Sequence, residues 1–263
     1  MIQRRLNKLF HGGFLDRPGA QLLLSRNIPM IYALGNAGAQ LLCQKLDIDT
    51  SVRDWTSKNR EAKPMFIEHS LLISKFLICL QLACEKLGVQ YYPSEDVVHQ
   101  KPNRDDRKGY NWSVEVREGG RKHNIALFPD NAFSLIYNRL LDQAQAKVKG
   151  LYFFEADRST MPVKRSNLFR SSFYKKLLGY YATKEQDLYT KTFGVKGVRI
   201  ITVTTSLERI VNIIKACEDI DVQKKYLRMF LFTTDSMLDL NKPEKLLARV
   251  WINGLGEGVS LIE

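Results

Sequence analysis

Cationic and aromatic side chains are interleaved between residues 161 and 199 in a pattern that suits contact with nucleic acid. Nine lysines and arginines stand against two acids there, a local charge of +7. Lysine and arginine bind phosphates, and exposed tyrosines such as Tyr174 and Tyr180 can stack on unpaired bases. We therefore expect Lys164, Arg165 and Arg170 to contact DNA. The alternative is a solvated helix face over a core of aromatic rings.

The whole chain carries the same excess of positive charge. Its 263 residues include 40 lysines and arginines against 28 acids, a net charge of +12 at pH 7. Such an excess favours a polyanionic partner, because each phosphate that a cation neutralises releases counterions. Many basic proteins bind no nucleic acid, however, so a protein that only binds other proteins stays open as an alternative.

The composition is typical of a globular protein in a reducing compartment. Apolar residues make up 44% of the chain and charged residues 26%, as in ordinary folded domains. The four cysteines show no metal-binding spacing, which favours reduced thiols in a core. The apolar stretch 70–87 contains two lysines and a glutamate, and the first residues lack the apolar run of a signal peptide. We expect a cytoplasmic protein with no membrane partner.

The spacing of apolar residues predicts a helix, a two-stranded wing and a second helix within residues 1–63. In the first helix, Arg4, Arg5 and Lys8 share a face opposite an apolar one, as in an amphipathic helix. A His-Gly-Gly sequence ends this helix. The first helix, the two wing strands, the second helix and a polar linker are expected at residues 1–10, 14–15, 30–34, 37–46 and 47–63.

From residue 64 onward, strands alternate with helices, which predicts an α/β domain. Helical spacing of apolar residues marks the helices, and β-branched or alternating runs mark the strands. Helices are expected at residues 67–87, 166–183 and 207–217. Strands are expected at residues 89–92, 112–117, 123–128, 133–137, 151–157, 198–204 and 226–232, with a charged loop at 99–109. A final strand or hairpin is expected at residues 249–262. The sequence thus predicts a central mixed sheet flanked by helices.

Several short stretches occur in a characteristic order along the chain. The most specific are Pro-Asp at 129–130, Glu-x-Asp-Arg-x-Thr at 155–160 and Lys-Leu-x-x-Tyr at 176–180. The others lie at residues 4–15, 31–38 and 68–71. Together these stretches resemble the replication-relaxation family, whose members are associated with plasmid replication, DNA relaxation and mobilisation. The resemblance implies a partial winged helix with its linker at residues 1–63 and a nuclease-like α/β domain at 64–263.

The likeness to a winged helix is incomplete. A complete winged helix has two helices before its recognition helix, and residue 1 lies inside the helix that would be the third. Those two helices fix the angle at which the recognition helix enters the groove of DNA. We therefore expect Arg4, Arg5 and Lys8 to contribute to DNA binding only where such helices precede them.

Asp130 and Glu155 resemble the metal-binding half of the PD-(D/E)xK motif of nucleases. They lie 25 residues apart, each on or beside an expected strand of one meander. In that motif an Asp and a Glu hold Mg²⁺, which generates a hydroxide and stabilises the charged transition state. The resemblance therefore implies Mg²⁺ as a cofactor, with Asp130 and Glu155 as its ligands and Glu68, from the long helix, as a third carboxylate.

The lysine of that motif is missing from its usual position. Two residues after Glu155 stands Asp157, which has the opposite charge. Lys175 or Lys176, on the next expected helix, could reach the site in its place. The alternative for these acids is a turn at Asp130 and a hydrogen-bond network at the end of a strand.

Three functions follow from these patterns. The first is a DNA-binding protein of plasmid or mobile-element replication, relaxation or mobilisation, with little or no catalysis. The second is a Mg²⁺-dependent nuclease that uses Asp130, Glu155 and a displaced lysine. The third is an adaptor that binds no DNA and recruits a replication initiator or a relaxase.

Overall fold

The computed structural model describes residues 2–20, 29–46, 54–93, 110–118, 120–141, 144–165, 170–195 and 197–262. The chain divides into two compact units, Met1–Leu71 and Leu72–Glu263. The predicted loop at 99–109 lies outside the described residues, and so does the first part of the predicted linker, at 47–53.

The first unit contains the helix, the two strands and the second helix that the sequence predicts. Its elements are α1 (Ile2–His11), β1 (Leu15–Asp16), β2 (Ala33–Leu34), α2 (Asn36–Leu46), α3 (Trp55–Glu61) and the start of α4 (Pro64–Leu87). Strand β1 pairs antiparallel with β2, with Leu15 opposite Leu34. No residue of α1 is buried. That this arrangement is part of a winged helix stays a prediction.

Two glycines allow the strand pair and α2 to approach the end of α1. A Cβ atom on Gly35 would lie 2.3 Å from the Gly13 carbonyl oxygen, and one on Gly38 would lie 2.2 Å from that of Phe14. Such distances exclude any side chain, since a residue with a Cβ could fit only if the backbone moved. The glycines therefore fix the packing of this hairpin.

Helix α3 lies where the sequence predicts a polar linker, so that prediction is wrong for residues 55–61. The helix is capped by Asp54, whose carboxylate accepts a hydrogen bond from the Ser57 backbone N–H at 3.0 Å. Asn36 supports the same turn, because its side-chain oxygen accepts from the Trp55 N–H at 2.6 Å. Capping thus compensates for the weak apolar pattern of this segment.

The second unit is built on a mixed sheet whose strands are β3 (Gln90–Tyr92), β6 (Asn131–Leu141), β7 (Ala144–Ala156), β8 (Val198–Thr204), β9 (Phe230–Thr234), β10 (Trp251–Asn253) and β11 (Gly258–Val259). Within the described residues this sheet has seven strands, in the order β11-β10-β9-β8-β7-β6-β3. Strands β7, β8 and β9 are parallel, and the other neighbours are antiparallel. A separate hairpin joins β4 (Trp112–Glu118) to β5 (Arg121–Leu127).

Helices cover both faces of the sheet. On one face, called the α5 face, Leu151 and Phe153 pack against α5 (Phe173–Glu185), α7 (Leu207–Ile220) and the hairpin. A short helix, α6 (Leu188–Phe193), lies between α5 and α7 in the sequence. The other, the α4 face, packs Tyr152 and Phe154 against α4. Side chains alternate between the faces because successive residues of a strand point in opposite directions. The predicted α/β class, with a central mixed sheet flanked by helices, is confirmed.

Two predicted elements begin later than expected. Helix α5 starts at Phe173 rather than at residue 166, because Ser172 caps it by accepting a hydrogen bond from the Lys175 N–H at 3.2 Å. Residues 166–169 lie outside the described residues. Strand β9 starts at Phe230, after a 3₁₀ turn at Leu227–Met229. Both differences come from capping or turn contacts that the apolar pattern does not contain.

By length and composition alone, α4 could cross a membrane, with a mean hydropathy of 1.5 over 18 residues. The core helix of a globular domain passes the same test. Phe76, Leu80 and Cys84 of α4 are buried in the second unit, and the Phe76 ring stacks on Phe154 with 4.0 Å between ring centroids. The expected absence of a membrane partner stays a prediction.

Candidate functional site

Asp130, directly before β6, and Glu155, on the neighbouring β7, lie on the same face of the sheet. Asn131 of β6 is opposite Phe154 of β7, so the next pair in this register is Asp130 and Glu155. Ala132 lies two residues from Asp130, and Phe153 lies two residues from Glu155. Both are buried on the α5 face. Because side chains alternate between the faces along a strand, the two acids lie on this face as well. The Asp130 carboxylate also accepts a hydrogen bond from the Ala156 N–H at 2.8 Å.

Helix α5 brings a lysine and a tyrosine to Glu155. The Lys176 ammonium group donates to Glu155 Oε2 at 2.5 Å, and the Tyr180 hydroxyl donates to Oε1 at 2.5 Å. Lys176 and Tyr180 are four residues apart, so they share one face of the helix. Of the two lysines that the sequence offers, Lys176 reaches the carboxylate, whereas the backbone N–H of Lys175 donates to the helix cap Ser172.

The site is buried and strongly electrostatic. Burial raises the pKa of the Glu155 carboxyl group, and the nearby charge of Asp130 raises it further, against the opposing effect of Lys176. Burial alone would lower the pKa of Lys176, but the charges of Glu155 and Asp130 outweigh it and raise that pKa. Lys176 therefore stays protonated at neutral pH and supplies the positive charge of the site.

Asp157 is neutralised by a different cation. Arg209, on α7, donates to its two carboxylate oxygens at 2.8 and 3.1 Å, and the Thr204 hydroxyl donates to it at 2.7 Å. The same guanidinium group donates to the Met161 carbonyl oxygen at 2.7 Å. Asp157 is thus part of an ion pair, and its carboxylate already accepts hydrogen bonds from Arg209 on α7 and from Thr204 on β8.

The donor set of the site fits Mg²⁺ with two carboxylates. Mg²⁺ is usually held by one or two carboxylates and completes its shell with waters and substrate phosphates. Thr202, which pairs with Glu155 across β7 and β8, has a buried hydroxyl without a hydrogen-bond partner, so this face leaves one polar atom for a further group. Among the described residues no three His, Cys, Asp or Glu form a metal-binding group, and Glu68 as a third carboxylate stays a prediction.

The six cations expected to contact DNA are all exposed. Three lie on α1, and three lie in the segment before α5: Arg4, Arg5 and Lys8, and Lys164, Arg165 and Arg170. The second group lies before the helix rather than on it, because α5 begins only at Phe173. Tyr180 and Tyr189, which could have stacked on bases, are instead buried.

Comparison with known proteins identifies the family. The replication-relaxation family model matches residues 1–196, which is most of the chain. The chain belongs to the replication-relaxation family. Membership associates it with the replication or relaxation of plasmids or mobile elements. No curated protein and no solved structure matches the chain.

In this replication-relaxation protein, two residues of one sequence motif meet at Glu155. The Lys-Leu-x-x-Tyr stretch that carried the resemblance contains Lys176 and Tyr180, both bound to that carboxylate. Sequence reasoning named the lysine but not the tyrosine, although their spacing of four residues was a usable signal. It also missed Arg209 and Thr202, for which the sequence contains no comparable signal.

Proposed function

We propose that the chain is a DNA-binding protein of plasmid or mobile-element replication, relaxation or mobilisation. The observation that supports this most is that three exposed cations stand directly before α5 in the chain. Lys164, Arg165 and Arg170 precede α5, the helix that carries Lys176 to Glu155. Exposed lysines and arginines in such a position suit contact with the phosphates of a DNA strand.

Backbone contacts hold that cationic segment against the start of α5. The Phe173 N–H donates to the Pro162 carbonyl oxygen at 3.2 Å, and the Tyr174 N–H donates to that of Val163 at 2.8 Å. Arg165 contacts the same part of the chain, since its Nε donates to the Ser171 carbonyl oxygen at 2.8 Å. Lys164 and Arg165 therefore belong to a stretch that is held against the start of α5, which lowers the ordering cost of binding.

The first prediction concerns the salt dependence of DNA binding. The logarithm of the association constant should fall with the logarithm of salt concentration, by roughly 0.9 for each phosphate contacted on duplex DNA. The variant with Lys164→Glu, Arg165→Glu and Arg170→Glu should flatten that slope, because fewer counterions are then released. Fluorescence anisotropy with labelled duplexes of different sequence measures both the slope and the weak sequence preference that we expect.

A control variant changes an exposed cation outside the segment that precedes α5. Lys122→Glu on the separate hairpin changes a similarly exposed cation and should leave the slope as in the wild type. An unchanged slope in the triple variant would remove the segment from the interface. The absence of any salt-dependent DNA binding would favour the adaptor, which binds no DNA and recruits a replication initiator or relaxase.

A Mg²⁺-dependent nuclease is the second candidate, and it is favoured by the meeting of Asp130, Glu155 and Lys176 on one face of the sheet. Asp130 and Glu155 would hold the ion, which supplies an activated water and neutralises developing charge on the phosphate. Lys176 keeps its proton beside Glu155, and Tyr180 orients the same carboxylate through its hydroxyl. Asp157, paired with Arg209, adds no free charge to the site.

The second prediction separates these two functions. Mg²⁺ should raise the melting temperature of the wild type, and Asp130→Asn should abolish that rise because one of two ligands is lost. Glu218→Gln, which changes an exposed carboxylate on α7, is the control and should respond like the wild type. Incubation with supercoiled plasmid, in Mg²⁺ or in EDTA, then tests cleavage.

The outcomes of the cleavage assay are distinct. Nicked plasmid that appears only with Mg²⁺, and not with Asp130→Asn, supports the nuclease. Thermal stabilisation by Mg²⁺ without nicking supports a DNA-binding protein that retains a metal site. A melting temperature that does not respond to Mg²⁺ in the wild type counts against the metal site itself.

A further inference from the structure

A cavity lies in the second unit, near the end of the central strands that is opposite to Glu155. It has a volume of about 570 Å³ and includes Arg199, at the start of β8, Tyr137, Tyr152 and Lys149 in its lining. Glu155 is paired three residues further along β8, with Thr202. No part of the site around Glu155 contributes to this lining, so the cavity requires a separate explanation.

The lining of the cavity is positively charged. Among the lining residues that the structure describes, Lys149, Arg199 and Arg228 contribute three cations, and Glu257 contributes an acid. Glu257 is held by Asn253, whose amide donates to it at 2.8 Å, and by Arg228 at 3.3 Å. These hydrogen bonds lower the pKa of Glu257, so it stays ionised while the cations remain in excess. A concave wall with an excess of positive charge concentrates its field inside the cavity.

A fixed aromatic floor gives the cavity its shape. The Tyr152 ring is buried, and its hydroxyl donates to the Leu261 carbonyl oxygen at 2.9 Å. Gly150 lies over that ring, and a Cβ atom there would be only 2.7 Å from it. Gly197 lies in the lining as well, but a Cβ atom on it would meet nothing within 4 Å. The floor is therefore closed by packing, whereas the space beside Gly197 is open.

We propose that this cavity binds the phosphate group of a single nucleotide. Guanidinium groups bind phosphate oxygens through paired hydrogen bonds, and Arg199 and Arg228 both belong to the lining. The volume lies within the range of about 300–1,000 Å³ that is usual for small-ligand sites, and it is too small for duplex DNA. A free nucleotide and the phosphorylated end of a DNA strand offer the same phosphomonoester.

The cavity can be probed directly with small ligands on the full chain. Differential scanning fluorimetry and calorimetry compare inorganic phosphate, a deoxynucleoside monophosphate and the same deoxynucleoside without phosphate, all at one ionic strength. The two phosphate compounds should stabilise the protein, the nucleotide more than phosphate, and the nucleoside should not. Short single strands with and without a 5′-phosphate show whether a free nucleotide or a strand end is preferred, and either preference supports the site.

Variants at Gly197 test whether binding takes place in this cavity. Gly197→Glu introduces a negative charge into open space and should weaken nucleotide binding by about tenfold or more, as expected when a charged hydrogen-bonding site is lost. Gly197→Ala adds a Cβ without charge and should bind like the wild type. Arg199→Gln should also weaken nucleotide binding, because it removes a guanidinium group from the lining. Circular dichroism checks that each variant is folded.

Two results would overturn the proposal. One is equal stabilisation by chloride and by nucleotide at the same ionic strength, which would indicate general screening of the basic chain. The other is wild-type affinity in both Gly197→Glu and Arg199→Gln, which would place bound nucleotide elsewhere. Because neither variant changes Asp130, Glu155 or the cations before α5, this test does not depend on the proposed DNA-binding or nuclease function.

Discussion

Two buried carboxylates lie two residues apart at the end of β7, and each is neutralised by a cation from a different helix. Lys176 of α5 pairs with Glu155, and Arg209 of α7 pairs with Asp157. A buried carboxylate is costly unless it is paired and hydrogen-bonded. The two ion pairs therefore allow acidic residues to stand in the interior at the point where the chemistry is expected.

The third prediction applies to the Asp157–Arg209 pair. Arg209→Ala should lower the free energy of unfolding by about 3–5 kcal/mol, because it leaves a buried carboxylate without its partner. Lys122→Ala, which removes an exposed partner of Glu115, should cost only about 0–1 kcal/mol. Urea denaturation monitored by circular dichroism measures both. A cost for Arg209→Ala as small as that of the control would mean that water reaches Asp157.

At the scale of elements, α5 connects the hairpin to the sheet. One side of the helix carries Lys176 and Tyr180 to Glu155. Gly179, between them, faces the hairpin, and a Cβ atom there would lie 3.0 Å from the side chains of Ile125 and Leu127. The hairpin therefore packs against α5 where the helix has no side chain, and the buried site lies under the same turn.

The fourth prediction tests this packing. Gly179→Leu should lower the free energy of unfolding by about 1–3 kcal/mol, since it overfills a packed contact. Its cost should be smaller when Leu127→Ala has already made room, a coupling that urea denaturation of the four proteins in the cycle measures. Glu185→Leu, at an exposed position of α5, is the control. If Gly179→Leu costs the same free energy of unfolding with and without Leu127→Ala, the hairpin does not pack against this turn of α5.

At the scale of the whole molecule, the exposed cations fall into two groups with different support. Those before α5 belong to a segment that is hydrogen-bonded to a packed helix. Those on α1 belong to a helix with no buried residue. A recognition helix reads DNA only when packing fixes its angle to the groove, so the two groups should not contribute equally.

The fifth prediction compares the two groups with matched pairs of arginines. Arg165→Ala with Arg170→Ala should weaken DNA binding more than Arg4→Ala with Arg5→Ala, because the first pair acts from a held segment. Fluorescence anisotropy at one salt concentration gives both affinities. A larger loss for the α1 pair would mean that this helix is held in the groove without the packing that we consider necessary.

The sequence by itself determined the α/β class, the family and most of the elements. Periodicity is local, so it located α1, the long α4, the hairpin and strand β8, whose bounds it predicted without error. It also paired Asp130 with Glu155, since two strands of one meander are close in sequence. Two predictions, a linker across α3 and an early start of α5, were wrong because side-chain caps, rather than apolar spacing, set those boundaries.

Only the tertiary structure decided which groups meet. Lys176 rather than Lys175 contacts Glu155 because the rotation of α5 against the sheet sets which face is turned inward. Asp157 is paired with Arg209, 52 residues away, because the parallel connection from β8 brings α7 over the end of β7. The cationic cavity likewise combines Tyr137, residues 149–152 and 197–199, and residues further along the chain such as Arg228 and Glu257. Contacts of this kind depend on strand order and helix packing, which local residue patterns do not encode.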